Sequence, residues 1–194
     1  MKKLNVFIFT VLILMLNIFD VATTNLDSTL KSVEVKKGLN FLEYRRYDKE
    51  FSDFKSQLGH DESHNNWLAI NPIGALGEWQ FMEGTLRHMG YNITATKFKS
   101  NPEIFPKELQ EEVLESLINS NVTIMKKYID KYQGQIIGGV TITKAGIIAA
   151  CHLAGPQGVI NFLTKNMNAT DMFGTSVYKY LKNYQYYDLN LKLV

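Results

Sequence analysis

The sequence predicts a mainly helical α+β domain, and three features of its pattern support this prediction. Lys107–Tyr132 places apolar side chains at helical spacing along one side. The stretch 145–150 is almost wholly apolar, as expected for a buried helix. Between these helices and the N-terminus, 65–77 carries Pro72, Gly74 and Gly77 among several Asn residues, which is typical of a loop. Helices around one irregular segment are therefore the expected architecture.

The remaining elements follow in chain order. Residues 25–47 form an N-terminal extension or a first short helix, and the spacing of apolar residues in 48–58 predicts a helix that runs towards Glu62. A short strand at 78–81 and a short helix at 83–89 come next. Thr141 or Thr143 can cap the buried helix, which we expect to end near 153. A Gly-Pro turn then leads to a short helix at 159–163.

The N-terminus predicts export. Lys2 and Lys3 precede a run, 4–19, that contains no charged residue, which is the layout of a secretory signal. Residues 1–24 are either a cleaved signal peptide or a retained N-terminal anchor, so we expect a periplasmic, cell-envelope or secreted protein. The catalytic domain would then be 48–194.

Net charge and cysteine content argue against a nucleic-acid-binding protein and against a disulfide-stabilised domain. A formal net charge of +2 lacks the basic excess of nucleic-acid-binding proteins. Cys151 is the only cysteine, so no intramolecular disulfide can form. Because Cys151 lies in an apolar stretch, we expect it to be a small buried hydrophobe. The domain must be stabilised by its core, for which its length is sufficient.

Glu62-Ser63 opens an ungapped stretch of 24 positions that ends at Thr85. The residues that define its pattern are Glu62, Ser63, Ala69, Pro72, Gly74, Ala75, Gly77, Gln80, Met82, Gly84 and Thr85. This pattern resembles the signature of the lytic transglycosylases of the lysozyme superfamily, E-S-x-x-x-x-x-A-x-S-P-x-G-A-x-G-L-M-Q-x-M-P-G-T. The resemblance implies a lysozyme-like fold with a small irregular or β segment beside the cleft.

A second block, 149–159, resembles the A-Y-N-A-G-P-G-x-V element that closes the cleft in this family. It has one extra residue, and Cys151 or His152 replaces the tyrosine that usually supports the catalytic glutamate. Trp79 precedes Gln80, as an aromatic residue does in related phage-type and secreted lysozyme-like enzymes. The resemblance therefore covers 62–159.

The resemblance implies a role for each matching residue. Glu62 is the general acid and base, a role that a carboxylic acid can fill when burial raises its pKa. Asn71 stands where the family has a serine that helps to orient the N-acetyl group. Gln80 and His152 would contact substrate, and Met82 would form an apolar wall of the cleft.

The implied reaction is that of a peptidoglycan lytic transglycosylase, which cleaves the β-1,4 bond between N-acetylmuramic acid (MurNAc) and N-acetylglucosamine (GlcNAc). A single glutamate suffices, because the muramyl C6 hydroxyl attacks C1 and gives a 1,6-anhydro product. The alternative is a hydrolytic muramidase, which needs a second carboxylate to activate water. Glu78 is the first candidate for that carboxylate, with Asp61 and Glu83 behind it. Otherwise, we expect Glu78 to be exposed at the edge of the strand.

Two other interpretations remain open. The altered second block is compatible with a non-catalytic, lysozyme-like wall-binding module. His60 and His64 have the spacing of a zinc site on a helix, although Asp61 stands where metalloproteases have Glu. We expect no metal or cofactor, peptidoglycan glycan strands as partner, no nucleic acid, no membrane contact beyond the possible N-terminal anchor, and a monomer.

Overall fold

The structure is a computed structural model, and it describes residues 41–189. The predicted signal, 1–24, and most of the predicted extension lie outside the described residues. From Arg45 onward the described residues form one compact unit.

Helices make up most of the described chain. In order, the elements are α1 (Phe41–Ser63), α2 (Glu83–His88), α3 (Ala95–Ser100), a 3-10 turn (Pro102–Ile104), α4 (Lys107–Tyr132), β1 (Ile136–Ile137), β2 (Val140–Thr141), α5 (Lys144–Lys165) and α6 (Val177–Tyr184). The prediction of a mainly helical α+β domain is confirmed.

The small sheet is not where the sequence predicted a strand. β1 and β2 pair antiparallel, with Ile136 opposite Thr141 and Ile137 opposite Val140. The predicted strand at 78–81 is wrong: within this segment only Phe81 forms an isolated bridge, to Leu76. The segment between α1 and α2, 64–82, therefore consists of bridged turns, and we call it the irregular segment.

Helix α1 begins earlier and ends later than predicted, so that Glu62 lies in its last turn. Phe54 and Leu58 on one side of α1 are buried in the core. Lys55 ion-pairs with Glu111 and Glu115 of α4, at 2.5 Å in each case. Burial alone would lower the pKa of Lys55, but the two carboxylates more than offset it and the pKa is raised. The ion pairs therefore join α1 to α4.

The side chain of Gln110 in α4 hydrogen-bonds to the backbone of the irregular segment. Its side chain is fully buried; Oε1 accepts from the Glu78 backbone N–H at 2.7 Å, and Nε2 donates to the carbonyls of Trp67 and Phe105. Gly77 lies directly above it at φ +78°, where a Cβ would come within 2.2 Å of Gln110 Oε1. Only glycine fits this close approach.

Helix α5 forms the centre of the core. Thr143 caps it by accepting from the Gly146 N–H, which resolves the choice between Thr141 and Thr143. The helix continues to Lys165 across a kink at Gly155, where φ is +65°. Among the described helices, α5 is long and apolar enough to cross a membrane, by length and composition only. Half of its apolar stretch is buried in the domain, and helices in protein cores have the same length and composition.

Helix α6 packs closely on α5. Ser176 caps it by accepting from the Lys179 N–H, and Tyr180, Leu181 and Tyr184 are buried on one side. At the crossing, a Cβ added to Gly146 would meet the Leu181 carbonyl at 2.9 Å. This contact brings two tyrosines of α6 against the C-terminal end of α1.

Candidate active site

One cleft, with a volume of about 450 Å³, lies where α1, the irregular segment, α5 and the chain before α6 meet. Five residues that the sequence assigned to the site line it: Glu62, Asn71, Gln80, Met82 and His152. Residues from the two resembling blocks are thus brought together although 72 positions separate Gln80 from His152. Two acidic residues also line the cleft, Asp61 and Asp171.

Glu62 is half-buried and is held by a tyrosine. The Tyr180 hydroxyl donates to Glu62 Oε1 at 2.5 Å. Burial raises the pKa of Tyr180 above its usual range, and the neighbouring charge of Glu62 raises it further. The phenol therefore remains protonated and a donor, which fixes one oxygen of the carboxylate and leaves the other for the cleft.

The adjacent carboxylate has a matching partner. The Tyr184 hydroxyl donates to Asp61 Oδ2 at 2.8 Å, and burial, followed by this hydrogen bond, raises the pKa of Tyr184. The rings of Tyr180 and Tyr184 stack with their centroids 5.5 Å apart. Tyr180 and Tyr184 are buried in the core, and sequence reasoning missed their contacts with the two carboxylates. Their spacing of four residues on one helix side was the available signal.

Asn71 closes a turn. Its Oδ1 accepts from the backbone N–H groups of Ile73, at 3.0 Å, and Ala75, at 2.9 Å. This geometry is an Asx-type turn, which the side chains of Asn and Asp favour. The oxygen is therefore engaged, and the Nδ2 amide is the part of Asn71 that remains for a ligand.

Gln80 has a backbone conformation that is uncommon for a residue with a side chain. Its φ is +50°, and its Nε2 donates to the Gly77 carbonyl at 2.8 Å. Such a conformation costs on the order of 1–3 kcal/mol and is frequent at functional sites. The Oε1 of Gln80 is left as an acceptor beside the cleft, and Met82, which is 44% exposed, supplies the neighbouring apolar surface.

His152 supports the backbone next to Gln80. Its Nε2 lies 2.7 Å from the Trp79 carbonyl, which can only accept, so Nε2 carries the hydrogen. Its Nδ1 is buried and has no hydrogen-bond partner in the described part of the chain. Neither His152 nor Cys151 replaces the missing tyrosine, because Tyr180 of α6 supplies the hydroxyl. Cys151 is buried as predicted, and burial raises its pKa to about 12.

Glu78 does not line the cleft, and the expectation that it is solvent-exposed is also wrong. It is only 4% exposed and packs against Gly59 of α1. Its Oε2 lies 3.3 Å from Lys107 Nζ, and its backbone carbonyl accepts from the Ser63 hydroxyl. A buried, paired carboxylate of this kind connects α1 to α4 and cannot reach a substrate. Glu83 instead accepts from the Ala95 N–H.

Asp171 is the acidic cleft residue that sequence reasoning missed. Its Oδ1 accepts from the backbone N–H groups of Phe173, at 2.9 Å, and Thr175, at 2.7 Å. The signal was present in the chain: the string D-M-F-G-T around Asp171 has the same turn chemistry as N-P-I-G-A around Asn71.

The zinc hypothesis loses its geometric basis. Helix α1 ends at Ser63, and His64 has φ +56°, so the pair does not lie on the continuing helix that this motif requires. Their rings contact each other, with centroids 5.1 Å apart. Among the side chains that the structure describes, no three of His, Cys, Asp or Glu are grouped as metal ligands would be.

The cleft thus combines a tyrosine-bound glutamate, two further carboxylates, two amides and an apolar wall. No protein-family model, curated protein or solved structure matches the chain, so the geometry of this cleft and the sequence resemblance are what support a functional conclusion.

Proposed function

We propose that this chain is a lysozyme-like enzyme that cleaves the β-1,4 bond between MurNAc and GlcNAc in peptidoglycan, with Glu62 as proton donor. One observation carries the proposal: Glu62, Asn71, Gln80 and Met82, which the resemblance selects from sequence alone, line a single cleft. The same grouping supports a lysozyme-like arrangement of the helices.

The chemistry of the cleft suits a glycan. In its acid form, Glu62 delivers a proton to the leaving glycosidic oxygen, and the hydroxyl of Tyr180 keeps the carboxyl group oriented. The free amide of Asn71 and the free oxygen of Gln80 provide a donor and an acceptor for N-acetyl and hydroxyl groups. Met82 and Ile73 give the apolar surface on which a sugar ring can lie.

Two acceptors can complete the reaction after the proton is delivered. In the lytic transglycosylase route, which the resemblance implies, Glu62 as carboxylate assists attack by the muramyl C6 hydroxyl. In the muramidase route, a second carboxylate activates water, and the two carboxyl groups of an inverting enzyme lie about 6.5–9.5 Å apart. The presence of Asp171 in the cleft favours this second candidate.

A digestion experiment tests the shared first step. Purified protein is incubated with peptidoglycan, and the released muropeptides are weighed by mass spectrometry. Glu62→Gln keeps an oxygen that can accept from Tyr180 but has no proton to donate, so we expect release to fall by about 10²-fold or more. Asp130→Asn, which changes an exposed carboxylate on α4, should release as much as the wild type. Measurable and equal release by wild type and Glu62→Gln would refute Glu62 as the proton donor. No release by either would refute the enzymatic proposal and favour the non-catalytic wall-binding module.

A further inference from the structure

The chain closes two turns in the same way, at positions numbered one hundred apart. In the 69–77 turn, Asn71 Oδ1 accepts from the N–H groups two and four residues later, and in the 169–177 turn Asp171 Oδ1 does the same. Three residues after Asn71 and after Asp171 stands a glycine with positive φ, +83° at Gly74 and +82° at Gly174. Both turns border the cleft.

The comparison separates what the turn needs from what it does not. Asn71 shows that a neutral amide oxygen is sufficient to close this turn. The negative charge of Asp171 is therefore not required by the backbone around it. That charge faces the cleft that also holds Glu62. A charge that the local structure does not need, at the wall of the cleft that holds the proposed acid, points to a chemical role.

The geometry leaves one oxygen of Asp171 available. Two N–H donors hold Oδ1, whereas Oδ2 accepts no hydrogen bond from the described part of the chain. Asp171 lines the same cleft as Glu62 and Tyr180, and the Tyr180 hydroxyl donates to Glu62. The proposed acid and Asp171 therefore face one ligand space.

We propose that Asp171 is the second catalytic carboxylate and makes the reaction a hydrolysis, an inference that rests on the proposed function. Glu62 donates its proton to the leaving O4 of GlcNAc as the C1–O4 bond breaks. Asp171 accepts a proton from a water molecule, whose oxygen forms the new bond to C1 of MurNAc. Glu62 is left ionised and Asp171 protonated, and exchange with solvent restores both. The anomeric configuration is inverted.

Asp171→Asn is a test that the structure itself provides, because Asn71 already closes the same turn. The variant should keep the wild-type free energy of unfolding and lower the rate of release by about 10²-fold or more. Wild-type products should be one water heavier than 1,6-anhydro muropeptides, should take up label from ¹⁸O water at the new reducing end, and should form as the α anomer. Asp130→Asn should match the wild type in rate and product.

The outcomes distinguish the two proposals. Wild-type products that are 1,6-anhydro, or unchanged release of hydrated products by Asp171→Asn, would overturn the role of Asp171 while leaving Glu62 as the acid. Release that is unaffected by Glu62→Gln would refute the proposed function itself. Slow but hydrated release by Asp171→Asn, with wild-type stability, supports the proposal.

Discussion

The 69–77 and 169–177 turns have the same backbone hydrogen bonds but very different surroundings. An antiparallel bridge joins Ile70 to Leu76 in the first and Thr170 to Ser176 in the second. The last three residues of the 69–77 turn are buried, and Gln110 is packed beneath them. Both turns expose apolar side chains at their tips, Ile73 by 41% in the first, and Met172 by 71% and Phe173 by 60% in the second.

An Asx oxygen and a positive-φ glycine are therefore enough to define the turn, while its packing decides what the turn does. The 69–77 turn is part of the scaffold, because Gln110 of α4 packs directly against Gly77. In the 169–177 turn only the last residue, Val177, is buried in the core, and the other residues are partly or fully exposed. Four sets of substitutions test this contrast.

The largest effect is expected for Gly77→Ala. The new Cβ would overlap the side chain of Gln110, and alanine is disfavoured at φ +78°, so the free energy of unfolding should fall by about 3 kcal/mol or more. Chemical denaturation measures this. Gly84→Ala is the control: no atom lies within 4 Å of its new Cβ and Gly84 is helical, so the protein should be stabilised slightly. A mild effect at Gly77 would mean that Gln110 does not lock the turn.

Next in size is the contrast between Asn71→Ala and Asp171→Ala. Each variant removes two hydrogen bonds to backbone N–H groups. Because the 69–77 turn belongs to the scaffold, Asn71→Ala should cost about 2 kcal/mol of global stability. Asp171→Ala should cost less than about 1 kcal/mol globally and mainly speed hydrogen exchange at Phe173 and Thr175. Equal global losses would show that the two turns are equally integrated.

For the third pair of variants we expect equal losses of stability. Gly74 and Gly174 have nearly the same φ, and neither would bring a Cβ closer than 3.9 Å to another residue. Replacing either with Ala should therefore cost about 1 kcal/mol through the backbone alone. Thermal denaturation of the two variants should give similar shifts. A much larger loss at Gly74 would reveal packing strain around the first turn.

The smallest stability effect is expected for Phe173→Ala. Since this side chain is 60% exposed, the free energy of unfolding should change by less than about 0.5 kcal/mol. If the cleft binds glycan strands, loss of this apolar surface should still raise KM several-fold with little change in kcat. Steady-state kinetics on solubilised glycan strands measure both. Met167→Ala, at another exposed apolar residue that does not line the cleft, serves as the control.

Strong periodicity and residue-specific motifs made much of this structure predictable. Helix α4 has the predicted bounds because its apolar side is regular and Pro106 precedes its first residue. The cleft residues from 62 to 82 could be selected because their spacing is specific. The early start of α1 was missed because the aromatic and basic residues before 48 do not show a clear apolar side.

Tertiary context explains what the sequence could not predict. Glu78 is acidic and follows a glycine, which favours exposure, but Gly59 leaves space for it and Lys107 balances its charge. Tyr180 reaches Glu62 across 118 residues, a contact that depends on how α6 crosses α5. Asp171 was overlooked because no motif marks it; only comparison with Asn71 reveals its turn.

Because Cys151 is buried, the rate at which a thiol reagent labels it reports opening of the core. It is the only cysteine in the sequence, is 3% exposed, and precedes His152 of the cleft. With a pKa of about 12, only roughly one thiol in ten thousand is ionised at pH 8. A thiol reagent should therefore label the native protein only when α5 opens. A glycan that binds the folded cleft should slow this labelling, so binding can be measured without any turnover.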